Sequence, residues 1–112
     1  MTLGKKQRIF SKNVASLIDY IYAHGYSCSF GDAYRSPEQA EIYAKQGKGI
    51  VDSLHCKRLA IDLNIFDKNE NYLSDTKDYA IFGKYWQSLS TGNRWGGSFV
   101  SRPDGNHFEM MD

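Results

Sequence analysis

Arg58-Leu59-Ala60-Ile61-Asp62-Leu63-Asn64-Ile65-Phe66 decides the fold reading. Leu59, Ile61, Leu63 and Ile65 share one face of an extended chain, and Ala60, Asp62, Asn64 and Phe66 share the other. Alternation of this kind predicts a strand with one face on a core. Asp62 then points away from the Leu/Ile face, between small Ala60 and polar Asn64, where there is room for an ion. Asp67-Lys68-Asn69-Glu70-Asn71 follows as a turn signal, so a hairpin with the Tyr72-Leu73 region is expected.

Before this strand the pattern is helical. Phe10, Val14, Leu17, Ile18 and Ile21 recur at helical spacing, with Ser11 as N-cap and Gly25 just past His24. A helix over 11–24 is expected, with the basic residues 1–9 as a frayed tail. His24 reads as a solvent-facing residue at the helix dipole. Tyr26-Ser27-Cys28-Ser29-Phe30 reads as a strand. Ser36-Pro37-Glu38 opens a second helix, with Ser36 as cap and Pro37 at the first position, and Gly47 stops it. Arg35 lies at the junction, where it either enters a site or makes a surface ion pair. A Gly-containing loop is expected over 48–53.

After the strand, Phe82, Tyr85, Trp86 and Leu89 have helical spacing and read as core. Thr91-Gly92-Asn93 breaks that helix. Arg94-Trp95-Gly96-Gly97 reads as extended chain with close backbone packing. Pro103-Asp104-Gly105 reads as a turn, and His107-Phe108-Glu109-Met110 as a last short strand.

With 112 residues, one domain spanning 1–112 is the expectation. A content of 41% hydrophobic and 14% aromatic residues excludes a disordered chain. A net charge of +1 gives no reason to expect a nucleic-acid partner. Cys28 and Cys56 are too few for a disulfide framework and read as reduced, mostly buried residues. No apolar run approaches a membrane span, and the start lacks the apolar stretch of a secretory signal. Synthesis in the cytoplasm without the usual export route is the expectation.

The chemistry lies in Ser53-Leu54-His55 with Asp62, and in Asp104-Gly105-Asn106-His107-Phe108-Glu109. Two imidazoles and a carboxylate, from His55, His107 and Asp62, suit one zinc ion with an open position; the oxygens are too few for calcium. His-x6-Asp alone is a weak signal. Asp104, three residues before His107, is placed to act as proton acceptor and donor, although Pro-Asp-Gly is also an ordinary turn. Glu109 competes for that role, or orients an imidazole instead. Arg35 suits an oxyanion or a substrate carboxylate. A thiol mechanism for Cys56 with His55 is disfavoured, because neighbours on a strand face opposite ways.

Taken together, Tyr34-Arg35-Ser36-Pro37-Glu38-Gln39, Ser53-x-His55 with Ala60-x-Asp62, Trp95-Gly96-Gly97 and Asp104-x-x-His107-Phe108-Glu109 resemble the M15 zinc peptidases, from about Phe10 to Glu109. These are D-alanyl-D-alanine carboxypeptidases and phage L-alanyl-D-glutamate endolysins. The resemblance implies an α+β fold, a small antiparallel sheet with packed helices of the Hedgehog/DD-peptidase-like kind. It implies one zinc held by His55, Asp62 and His107, Asp104 as acid/base, Arg35 at the substrate and oxyanion, and Ser53 and Tyr34 at the substrate. Asp in place of the Glu of carboxypeptidase relatives is similar to the endolysin branch. That implies an L-alanyl-D-glutamate endopeptidase acting on peptidoglycan stem peptides. The alternatives are a D-alanyl-D-alanine carboxypeptidase or dipeptidase, and a zinc-holding binding module without turnover. The implied setting is a monomer acting in the periplasm or cell wall after release, with a holin as one route. One departure is Arg58, where the family pattern often has Gly.

Overall fold

A computed structural model describes residues 1–49 and 53–112. In chain order it contains α1 (Leu3–Ala23), β1 (Ser27–Phe30), α2 (Pro37–Lys45), β2 (Ala60–Phe66), α3 (Ala80–Leu89), β3 (Asn93–Trp95) and β4 (His107–Met110). Short 3-10 turns cover Leu54–Lys57, Thr76–Tyr79 and Gly96–Ser98. The fold is α+β, as expected. The strands form one antiparallel sheet in the order β1-β2-β4-β3.

The alternation in β2 sets the two faces of this sheet. Leu59, just before β2, is fully buried, as are Leu63 and Ile65 within it, and Ile61 is 5% exposed. They join Phe108 and Met110 of β4 and Trp95 of β3 in one core. Phe10, Val14, Leu17 and Ile21 of α1 and Phe82 and Trp86 of α3 close that core from the other side. Each large apolar side chain buried in this way contributes about 1.5–3 kcal/mol. Trp86 also binds through its polar edge. Its Nε1–H donates to the backbone carbonyls of Glu109 (2.9 Å) and Arg94 (3.1 Å). One indole thus ties α3 to both β3 and β4.

The opposite face is polar. Asp62 pairs with His107 across β2 and β4, Ala60 pairs with Glu109, and Arg94 of β3 pairs with Glu109 from the far side. Directly paired residues project to the same side of a sheet, as do residues two apart on one strand. This register gathers Asp62, His107, Glu109 and Arg94 on one surface.

The start of the chain differs from the sequence reading. α1 begins at Leu3, capped by Thr2 Oγ1 accepting from Lys5 N at 3.2 Å. Ser11 is mid-helix, with its hydroxyl donating to the Arg8 carbonyl at 3.0 Å. The expected frayed tail is helical because it is anchored. Gln7 Nε2 donates to the Lys57 carbonyl at 2.8 Å, and Lys6 pairs with Asp112 at 3.4 Å. α2 follows its signals, with Ser36 Oγ accepting from Gln39 N and Gly47 at φ +72° beyond the end. The hairpin after β2 is reduced to one bridge, Phe66 to Tyr72, around a turn in which Asp67 Oδ1 accepts from the amides of Asn69 and Asn71. The middle of the 48–53 loop lies outside the described residues. Cys28 and Cys56 are free and half-buried rather than buried.

Candidate metal centre

His55 reaches the polar face from a turn, not from a strand. Ser53 caps the 3-10 turn Leu54–Lys57, its Oγ accepting from His55 N at 3.2 Å. Arg58 ends the turn in the left-handed conformation, φ 57° and ψ 36°, and this reversal feeds the chain into β2. Glycine takes such a conformation at little cost. The Arg58 guanidinium lies 4.1 Å from the centre of the Tyr34 ring, a cation–π contact.

The turn and the β2–β4 register bring three side chains to one point. Asp62 Oδ1 is 3.3 Å from His55 Nε2 and 3.1 Å from His107 Nδ1. One ligand atom from each of His55, Asp62 and His107 lies within 4.8 Å of the others. A tetrahedral zinc with bonds of about 2.0–2.1 Å spaces its ligand atoms about 3.3 Å apart; both distances to Asp62 match that spacing, and two imidazoles with a carboxylate are a donor set that suits the ion. The protonation pattern agrees. His107 Nε2 is 2.7 Å from Glu109 Oε1, so Nε2–H donates to that carboxylate. The lone pair on Nδ1 then faces the Asp62 oxygen, an arrangement that needs a proton or a metal cation between them.

The charges of these groups follow from their packing. Burial pushes the Asp62 carboxyl up, but hydrogen bonds from His107 and His55 outweigh it and bring it to about 2. Burial pushes His107 down, and Asp62 and Glu109 raise it to about 9. Burial pushes Glu109 up, but the His107 hydrogen bond and Arg94 hold it below the usual range. Asp104 moves the other way, raised first by loss of water around it and then by the charge of Asp62.

Asp104 is held at the rim by its backbone. Asp104 N donates to Gly96 O at 2.9 Å, and His107 N donates to Asp104 O at 3.2 Å. A Cβ on Gly96 would collide with the Asp104 carbonyl and the His107 Cβ, so only glycine lets the two segments close. Trp95 Nε1 donates to the Gly105 carbonyl at 2.7 Å and fixes the same turn.

A cleft of about 600 Å³ opens over these groups. Arg35, Ser53, His55, Asp62, Asp104, His107 and Glu109 all line it. Arg35 is fixed by Asp32, whose Oδ2 accepts from Nε at 3.1 Å and Nη2 at 2.9 Å. Its backbone N also donates to the His55 carbonyl. Tyr34 is about half exposed, with the Arg58 guanidinium over one face of its ring. Cys56 sits with His55 on a 3-10 turn, so strand alternation does not separate them as the sequence reading supposed. His55 turns toward Asp62. The sequence reading missed Asp32, Arg94, Lys48, Phe99 and Arg102. Arg94 had a usable signal, since a residue next to core Trp95 on a strand must face the other way. The rest are loop residues without a periodic pattern.

A family model described as D-alanyl-D-alanine carboxypeptidase, for M15 peptidases, matches residues 46–110, more than half of the chain. The chain belongs to the M15 peptidase family. Its fold is similar to that in the crystal structure of the Serratia marcescens L-Ala D-Glu endopeptidase ChiX. The TM-score is 0.75 at 17% identity, over 91% of this chain and 77% of that one. No curated protein matches the chain significantly. An M15 membership makes the chain a peptidase, and the His55–Asp62–His107 group is its possible metal site. Among the described residues, no helix is long and apolar enough to cross a membrane.

Proposed function

We propose that this M15 peptidase is a zinc enzyme that cleaves peptidoglycan stem peptides at the L-alanyl-D-glutamate bond. The observation that carries the reading is one cleft holding the His55–Asp62–His107 group and the separate carboxylate of Asp104. His55 Nε2, Asp62 Oδ1 and His107 Nδ1 would hold the ion. Bound there, zinc supplies a Lewis acid and brings the pKa of a water toward ~7.

The chain's own residues supply the rest. Asp104, with its affinity for protons raised, takes the proton from the attacking water and returns it to the leaving amine. Arg35, locked by Asp32, faces the carbonyl oxygen as charge develops there. Glu109 is occupied by His107 and Arg94, which supports an orienting role and leaves Asp104 as the base. Ser53 lines the cleft, so its backbone can meet substrate while its hydroxyl caps the turn.

Digestion of purified peptidoglycan sacculi tests this reading. Free L-alanine carboxyl ends and new D-glutamate amino ends, lost with chelator and restored by zinc, are the expected products. The family description favours a second reading, release of terminal D-alanine. D-Alanine as sole product would establish it. No product at all from zinc-loaded protein would point to a binding module.

A further inference from the structure

Four Lys and Arg side chains line the cleft among the described residues: Arg35, Lys48, Arg94 and Arg102. Two are matched by carboxylates, Arg35 by Asp32 and Arg94 by Glu109. Arg102 has no carboxylate within ion-pair distance among the described residues. Its Nη2 donates to the Gly47 carbonyl at 2.6 Å, joining the lip that carries Asp104 to the lip beyond α2. That bond uses one of five guanidinium N–H donors. Arg102 is two residues from Asp104, and its charge acts on the Asp104 carboxyl.

This placement has a consequence for substrate choice, and it rests on the peptidase reading above. Asp104 returns a proton to the leaving nitrogen, so the leaving residue lies on the Asp104 side of the cleft. In an L-alanyl-D-glutamate bond, the carbon attached to that nitrogen carries the free α-carboxylate of the glutamate. We infer that Arg102 is a specificity-determining residue that binds a free α-carboxylate next to the scissile nitrogen. The substrate class is peptides whose leaving residue keeps that carboxylate, and amidation there weakens recognition. Guanidinium suits a planar carboxylate, and Arg102 lines the cleft with four N–H donors not used by Gly47.

Two synthetic stem peptides test this, differing only in whether the D-glutamyl α-carboxyl is free or amidated. The zinc-loaded enzyme should cut the free acid with kcat/KM higher by about 10–100-fold, the worth of one charge-assisted hydrogen bond. In Arg102→Ala the acid-to-amide ratio should fall toward one, and Arg102→Lys should keep part of it. If Arg102 only clasps Gly47, Arg102→Ala lowers both rates by one factor and leaves the ratio unchanged, which overturns the inference. Equal cleavage of both peptides by the unmodified enzyme overturns it too, while leaving the peptidase reading intact. If neither peptide is cut, both readings fall.

Discussion

Asp62 and His107 are direct partners across β2 and β4, and this register places Asp62 Oδ1 3.1 Å from His107 Nδ1. A slip of one residue would turn one of them to the opposite face. The metal site is therefore a property of strand pairing, and the core residues that alternate with it, Ile61 and Phe108, enforce the register. His55 joins from outside the sheet, through the turn that Arg58 closes.

Glu109→Gln tests the support behind His107. The amide still accepts from Nε2–H but no longer carries charge, and Arg94 loses its partner. Zinc affinity should fall about 10–100-fold while the fold is kept. Competition with a chromogenic chelator measures it. An unchanged affinity would remove Glu109 from the site.

Arg58 occupies a conformation that costs a non-glycine residue about 1–2 kcal/mol. Its exposed contact with Tyr34 returns about 0.5–1 kcal/mol. Arg58→Gly removes the strain together with the contact, whereas Arg58→Ala keeps the strain and loses the contact. The glycine variant should be the more stable of the two by about 1 kcal/mol. Urea unfolding compares them, and equal midpoints would deny the strain.

The sequence showed β2 clearly because alternation is a local signal and this strand keeps it over its whole length. Trp86 and Phe82 were legible for the same reason at helical spacing. The start of α1 was not, because its anchors are remote: Lys6 meets Asp112 and Gln7 meets Lys57 only after folding. At the site, His55, Asp62, His107 and Asp104 stood out by residue type and motif order. Tyr34 stood out equally, but its contact with Arg58 is one that no spacing rule reveals. Asp32 and Arg102 escaped notice because their partners are fixed by loop conformation.

Gly96→Ala links fold to site. The added methyl meets the Asp104 carbonyl and the His107 Cβ, neither of them the loose end of a flexible chain. The variant should lose about 1–3 kcal/mol of stability. Peptidase activity at a temperature where it remains folded should fall as well, since Asp104 is displaced. Thermal unfolding with a matched activity assay reads both, and full stability with full activity would contradict the packing described.

The central claim is the division of labour between the three groups that hold the ion and the one that moves the proton. Asp104→Asn measures it directly, with zinc content and stem-peptide hydrolysis determined on the same sample. Zinc should remain at one per chain, with hydrolysis lower by about 10²–10⁴-fold. Hydrolysis at the unmodified rate would contradict the account and return the proton-transfer role to Glu109.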